Sequence, residues 1–189
     1  MPSPMETIAP GFLIAAPSLQ DPNFDRTVVL MCVHNEQGAM GLVINRPSPM
    51  TMKDIMDQLD VSCVGDIEKA AMVGGPVALD SGLLLYEVAP ETEEHEGELT
   101  VTTELRLCPN RELLHSIGRG EGPENYMMFL GHSGWGPGQL EWEFSQGAWI
   151  PAKMQRGIIF DTPFEERWEQ ALAAEGLQPG HLAGFKPQA

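Results

Sequence analysis

The chain has 189 residues, of which 42% are hydrophobic and 7% aromatic, so it is long enough for one domain with a substantial core. Its 27 acidic and 11 basic residues give a formal net charge of -16, and no basic stripe is present. This balance excludes the surface that non-specific binding to duplex DNA requires. No apolar run approaches the roughly 20 residues that cross a bilayer, so we expect no contact with a membrane.

The N-terminal segment MPSPMETIAPGF has no basic residue and no apolar stretch of signal-peptide length, which predicts a cytoplasmic protein. The cysteines, Cys32, Cys63 and Cys108, form no C-x-x-C pair. We therefore predict reduced, mostly buried thiols rather than disulfides or a zinc site. The five histidines show no regular ligand spacing, so we predict neither a metal site nor a cofactor.

The first predicted elements form a β-hairpin. Residues 28–34 (VVLMCVH) are typical of a buried strand, NEQG at 35–38 is typical of a turn, and residues 39–45 (AMGLVIN) read as the returning strand. A short amphipathic helix follows, because Thr51 and Asp54 have the spacing of a capping box.

The middle of the chain is predicted to contain four strands and one short helix. Strands are predicted at AAMVGGPV (70–77), where a strand runs into a glycine turn, and at 81–88, 99–107 and 125–131. The segment 110–118 (NRELLHSIG) has an Asn cap and a terminal glycine, which predicts a short helix. The acidic run PETEEHEGE (90–98) is interpreted as a solvated loop rather than a cation or protein site.

The last predicted element is a helix over residues 163–175. Thr162 and Glu165 have capping-box spacing, and Pro163 occupies the first helical position. Four apolar residues lie on the face that we expect to dock on the sheet: Phe164, Trp168, Ala171 and Leu172.

The irregular order of strands and helices favours an α+β fold over a doubly wound one. No repeat or low-complexity linker divides the chain, so we expect one domain over residues 1–189. Its core is expected at about 8–177, and the tail at 178–189 is expected to be loosely ordered.

Three motifs occur in order along the chain: the block at 11–47, GGPV at 74–77 and GWGPGQLE at 134–141. Together they resemble the AlgH-like (YqgE/AlgH) family of small bacterial proteins over roughly residues 11–176. His132 and Ser133 depart from the family motif, which has an aromatic residue there. The molecular activity of the family is not established, and the transcriptional-regulator label that its members often carry names no chemistry.

The resemblance implies a single α+β domain with a coiled, bifurcated, mostly antiparallel β-sheet. It also implies a small barrel-like core flanked by helices. Residues 138–146 (GQLEWEFSQ) alternate like a strand, but their Gly-Pro-Gly entry and the resemblance favour a helix.

Polar residues at the ends of the hairpin form the candidate ligand site. His34 ends the first strand, Asn45 and Arg46 end the second, and Asp25 and Arg26 precede the hairpin. We expect these five side chains to converge on an anion. The structural alternative is that Arg26 pairs with a nearby carboxylate and that His34 is a satisfied edge histidine.

Catalysis would need a nucleophile beside a base, and Ser18 and Ser133 are the candidate hydroxyls, although neither lies in a G-x-S-x-G elbow. The GGPV glycines match no phosphate-loop spacing and predict a sharp turn instead. Tryptophans 135, 142 and 149 recur at intervals of seven. They predict either a packed corner or the lining of an apolar pocket.

These patterns rank three functions. The first is a regulatory or binding protein that acts through a protein partner or a small ligand rather than by direct DNA binding. The second is a hydrolase or transferase acting on a small anionic substrate at Asp25, Arg26, His34, Asn45 and Arg46. The third is a transcriptional regulator that binds DNA, which the acidic charge disfavours. The sequence favours a function other than catalysis.

Overall fold

A ten-stranded β-sheet organises the molecule. The computed structural model describes residues 7–65, 67–109 and 111–182. The strands are β1 (Gly11–Ala15), β2 (Val28–Asn35), β3 (Gly38–Val43), β4 (Pro47–Thr51), β5 (Ala70–Val73), β6 (Val77–Glu87), β7 (Leu99–Thr102), β8 (Leu105–Cys108), β9 (Tyr126–Trp135) and β10 (Trp149–Ala152). The helices are α1 (Met52–Gln58), α2 (Arg111–Gly118), α3 (Gln139–Ser145), α4 (Arg156–Phe160), a 3-10 turn (Phe164–Glu166), α5 (Arg167–Ala174) and α6 (Pro179–Leu182). Within the described ranges, no helix has the length and apolar character needed to cross a bilayer.

The sheet forks at β9. Its main path runs β10-β1-β2-β3-β9-β6-β8-β7, and each neighbouring pair on this path is antiparallel. Residues 133–135 of β9 pair with β3, whereas Phe129 and Leu130 pair in parallel with β5, which in turn pairs with β4. The single strand β9 therefore joins two parts of the sheet.

The predicted α+β fold in one domain is confirmed, and the sheet is mostly antiparallel as expected. The barrel-like core needs a correction, because the sheet is not closed into a barrel. Its path ends at the four-residue strands β10 and β7, and each of them pairs with one neighbour only within the described chain.

Three apolar clusters fill the space between the sheet and the helices. The largest joins β1, β2, β8 and β9 to α4 and α5 and includes Phe12, Phe129 and Trp168. A second cluster lies under α1 and α2. The third surrounds Trp135 and Trp149 beside α3.

Most of the local predictions agree with the structure. Strands β2 and β3 form the predicted hairpin. Helix α1 has the predicted capping box, in which the Thr51 hydroxyl accepts a hydrogen bond from the Asp54 amide and the Asp54 carboxylate accepts one from the Thr51 amide. Helix α3 resolves the ambiguity at 138–146 in favour of a helix. Helix α2 covers most of the predicted segment, but the proposed Asn110 cap lies outside the described residues.

One predicted strand is two strands. Residues 99–107 contain β7 and most of β8, which pair with Leu99 opposite Leu107. The turn between them contains Thr103 and Glu104, and the Glu104 amide donates a hydrogen bond to the Thr102 hydroxyl. Because a two-residue turn preserves the period of two, the alternating pattern continues across it and conceals the hairpin.

The predicted capping box at the last helix is wrong. Pro163 has an extended ψ of 139°, and the next three residues form a 3-10 turn, so α5 begins only at Arg167. The Thr162 hydroxyl donates instead to the carbonyl of Gly157 in α4. The predicted docking face is nevertheless present, since Trp168, Ala171 and Leu172 are buried. In the predicted tail, α6 starts at Pro179, and residues 183–189 lie outside the described chain.

Candidate functional site

Asn45 and Arg46 fasten the loop that precedes β2. Asn45 accepts a hydrogen bond from the Val28 amide through Oδ1 and donates one from Nδ2 to the Arg26 carbonyl, both at 2.9 Å. Arg46 donates from Nη1 to the Pro22 carbonyl at 2.7 Å and from Nη2 to the Asp25 carbonyl at 2.9 Å. Both side chains therefore bind backbone groups of this loop.

The side chain of Arg26 points to α5. Its guanidinium carbon lies 4.6 Å from the centroid of the Trp168 ring, and its Nη2 lies 3.5 Å from Glu169 Oε1. This contact matches the structural alternative in which Arg26 pairs with a carboxylate. The carbonyl of Asp25 accepts the hydrogen bond from Arg46, and the residue is exposed.

His34 does not join the other four residues. It pairs with Ala39 beside the hairpin turn, whereas Asn45 lies beside Val28 at the opposite end of the hairpin. Six residues at about 3.3 Å each place these ends about 20 Å apart along the strand. The expectation that five side chains converge is therefore wrong, because the open end of a hairpin and its turn are opposite ends.

The His34 ring joins the hairpin to α3. Its Nδ1 accepts a hydrogen bond from the Ile8 amide at 3.2 Å, and its Nε2 lies 2.9 Å from Glu141 Oε1. Because Nδ1 is an acceptor here, Nε2 carries the N–H and donates the hydrogen bond to the carboxylate. This hydrogen bond is the main reason that the pKa of Glu141 lies below its usual value.

Arg46→Ala is expected to lower the free energy of unfolding by about 1–2 kcal/mol. Hydrogen bonds to charged groups contribute more than neutral ones, but water can replace this partner at the exposed carbonyls of Pro22 and Asp25. Urea denaturation measures the change. Arg119→Ala is the matched control, since Arg119 makes an exposed ion pair with Glu121 and should change stability by less than about 0.5 kcal/mol.

An Arg46→Ala protein of unchanged stability would contradict the fastening role. If such a protein also failed to complement a deletion strain, the result would favour a ligand site formed by Asp25, Arg26, Asn45 and Arg46, the four predicted residues other than His34.

In the described part of the chain, neither candidate hydroxyl hydrogen-bonds to a base. The Ser133 hydroxyl is buried and donates to the Gly74 carbonyl at 3.0 Å, and Ser18 lies on the exposed loop before β2. No histidine of the described chain hydrogen-bonds to either side chain. The described residues also contain no group of three or more His, Cys, Asp or Glu side chains that could hold a metal ion.

The tryptophans at intervals of seven do not share one environment. Trp135 and Trp149 are buried and contact each other edge to face, with ring centroids 6.1 Å apart. Phe24 stacks on Trp135 at 6.0 Å and meets Trp149 edge to face at 5.4 Å. This is the packed corner that the glycine-rich motif predicted, whereas the side chain of Trp142 remains 64% exposed.

A groove with a largely apolar lining lies between α1, α2 and the start of β6. Its cavity is about 320 Å³ in volume. The apolar side chains that line it include Met50, Ile55, Leu84, Leu114, Met128 and Leu130. Asp80 and Arg111 supply charges of opposite sign to the lining. We refer to this feature as the α1–α2 groove.

A bulge in β6 forms one side of the α1–α2 groove. Val77 pairs with His132, and the next pair is Gly82 with Leu130, so residues 78–81 lie opposite Gly131 alone. Ala78 adopts a positive φ of 52°, which is uncommon for a residue other than glycine. The bulge presents Leu79, which is 54% exposed. Leu59 on the far side of the groove is 36% exposed.

The sequence offered no direct signal for this groove. Its lining comes from residues 50–59, 79–84, 108–114 and 128–130, and these segments meet only after the sheet has formed. A weak signal was available in the apolar Leu79, which stands in an otherwise turn-like stretch between Pro76 and Gly82.

Fold and surface together define an α+β domain with a forked sheet and an apolar groove. The chain belongs to the AlgH-like family, whose model matches residues 12–180. A UPF0301 protein of Anaeromyxobacter dehalogenans is 42% identical over 184 residues, which cover 94% of this chain and 93% of that protein. A UPF0301 protein of Burkholderia ambifaria is 37% identical and covers 97% and 96% of the two chains.

Solved structures share the fold. The solution structure of the AlgH protein from Pseudomonas aeruginosa matches with a TM-score of 0.77 and 36% identity, covering 100% of both chains. A crystal structure of a Corynebacterium diphtheriae protein matches with a TM-score of 0.75 over 97% of this chain and 95% of the other. At 22% identity, this second likeness concerns the fold alone.

Proposed function

We propose that this chain is a binding protein that holds an apolar segment of a partner protein in the α1–α2 groove. The observation that carries the proposal is the concentration of exposed apolar side chains at this groove. Five large hydrophobic residues of the described chain are notably exposed, and Leu59 and Leu79 line the groove while Val77 begins the strand that carries its bulge. Contiguous exposed apolar surface marks interaction sites.

A protein segment fits this surface better than an isolated small molecule. The cavity of about 320 Å³ falls within the range for small-ligand pockets, roughly 300–1,000 Å³, so the preference for a protein segment rests on the surface around the cavity rather than on its volume. The exposed side chains of Val77 and Leu79 extend the apolar surface along the bulge. Residues 78–81 are exposed, and their pairing with β9 is interrupted at the bulge, which suits the addition of an extended chain along this segment.

Charge defines the flanks of the expected segment. The chain carries a formal net charge of -16, so a partner segment with basic residues on either side of its apolar core would be attracted. The same charge disfavours direct DNA binding. It therefore supports a regulatory role exercised through a protein partner.

The alternative of a hydrolase or transferase has less support. Its proposed residues are divided between two ends of the hairpin, and the polar groups of Asn45 and Arg46 bind loop backbone. We also propose a cytoplasmic location, which the three free cysteines support because disulfides are rare in that compartment.

A photo-crosslinking amino acid placed at Leu79 should form a discrete adduct with one partner protein in cells. The matched control position is Val64, which is 76% exposed and lines a different cavity. Mass spectrometry identifies the adduct, and fluorescence anisotropy with the purified partner segment then measures affinity. Leu79→Asp should weaken binding about tenfold or more, since it places a charge in an apolar interface, whereas Val64→Asp should leave binding unchanged.

The proposal fails if the same adducts form at positions 64 and 79, or if Leu79→Asp binds the purified segment as tightly as the unaltered protein. Thermal denaturation of both variants tests for unfolding. Surface substitutions of this kind are expected to change stability by less than about 0.5 kcal/mol.

A further inference from the structure

A second cavity lies between the loop before β2 and helix α3, and it shares no lining residue with the α1–α2 groove. Its volume is about 320 Å³. Three aromatic side chains, Phe24, Trp142 and Trp149, and two carboxylates, Asp21 and Glu143, contribute to the lining, and no basic residue does. We call this cavity the aromatic pocket.

Glu143 is held in place by neutral donors. Its Oε2 accepts hydrogen bonds from the indole nitrogens of Trp135 and Trp149, both at 2.8 Å. Its Oε1 accepts a longer one from Gln139 Nε2 at 3.3 Å. Among the described residues, no Lys, Arg or His nitrogen forms an ion pair with Glu143 within 4.0 Å. The donors therefore orient this carboxylate without cancelling its charge.

The loop that carries Asp21 and Phe24 is also held. Asp21 accepts the Asn23 amide through Oδ1 at 2.8 Å, and its carbonyl accepts the Phe24 amide at 2.9 Å. Arg46 bonds to the carbonyls of Pro22 and Asp25, on either side of Phe24. These hydrogen bonds hold Asp21 and Phe24 in place in the absence of a ligand, so the pocket is preorganised.

From this geometry we infer that the aromatic pocket binds a small organic cation bearing a methylated ammonium group. Aromatic rings attract cations, and they favour weakly hydrated ones because little solvation is lost on transfer from water. Glu143 accepts three hydrogen bonds, two of them at Oε2, so most of its four lone-pair positions are occupied and its main contribution to a ligand is its charge. A quaternary ammonium group is attracted by a negative charge, and it has no N–H group that would require a hydrogen-bond acceptor. This site is independent of the proposed function of the α1–α2 groove.

Choline is the probe, and its neutral carbon analogue 3,3-dimethylbutan-1-ol is the matched control ligand. In a titration of ¹⁵N-labelled protein at constant ionic strength, choline should produce saturable shifts of the indole N–H signals of Trp142 and Trp149. The indole N–H signal of Trp168 should not shift, because this side chain is buried in the core and donates to the Ala15 carbonyl. The neutral analogue should bind at least tenfold more weakly than choline, because it lacks the charge.

Two variants test the assignment. Trp142→Ala removes an exposed ring and should weaken choline binding about three- to tenfold. Glu143→Gln keeps an acceptor for the indoles but removes the charge, and it should weaken binding about tenfold or more. Val64→Ala, at an exposed position outside the pocket, should leave binding unchanged.

The inference is overturned if choline gives no saturable shift at Trp149, if the neutral analogue binds as tightly as choline, or if neither pocket variant weakens binding. None of these results bears on crosslinking at Leu79, so failure of this site and failure of the groove are distinguishable.

Discussion

Trp168→Ala is expected to lower the free energy of unfolding by about 3–5 kcal/mol, the usual range for emptying a buried aromatic site. Trp168 is 4% exposed and belongs to the largest apolar cluster. Its indole N–H donates to the Ala15 carbonyl at 2.9 Å, so the substitution also removes a partner from a buried backbone group. Urea denaturation followed by circular dichroism measures the loss.

Trp142→Ala is the matched control, because that side chain is 64% exposed and should cost less than about 0.5 kcal/mol. A loss below about 1 kcal/mol for Trp168→Ala would contradict the docking of α5 on β1 and β2.

Gly75→Ala is expected to destabilise the protein by about 3 kcal/mol or more. Gly75 has a φ of +154° and lies against β9, and an added Cβ would lie 2.3 Å from the carbonyl carbon and oxygen of His132. Neither backbone can move without breaking the sheet around Val77 and His132, where β6 pairs with β9. Backbone strain and overpacking each cost about 1–3 kcal/mol.

Gly134→Ala is the control for this substitution. Gly134 lies in the same strand β9, has no positive φ, and nothing lies within 4 Å of an added Cβ. Its replacement should be neutral or slightly stabilising, because alanine restricts the unfolded chain. Thermal denaturation of Gly75→Ala and Gly134→Ala measures the difference in stability. Equal stabilities of the two variants would show that the GGPV segment does not approach the backbone of β9 closely.

The GGPV motif shows how far a local pattern can be interpreted. Two adjacent glycines before a proline predicted a sharp turn rather than a phosphate loop, and the structure contains a close approach of two backbones at this position. The identity of the approaching strand was not predictable, because β9 lies more than 50 residues further along the chain.

Only part of the arrangement of the candidate ligand-site residues could be predicted from the sequence. Antiparallel pairing brings Asn45 beside Val28, so the contact of Asn45 with the loop around Arg26 follows from the hairpin itself. The same pairing puts His34 beside the turn, which hairpin geometry alone could have shown. That Arg46 binds backbone carbonyls could be seen only in the folded loop, since nothing in the sequence specifies which atoms of Pro22 and Asp25 face its guanidinium group.

By itself, the sequence determined the elements whose signals are local: the β2–β3 hairpin, the capped helix α1, and the apolar face that α5 buries. Period, caps and turn residues act within a few positions, so they can be interpreted from one chain. Only the tertiary structure decided the position of the fork at β9 and the residues that line the two surface cavities. Each of these depends on residues distant in sequence, whose approach is set by packing across the whole sheet rather than by any short pattern.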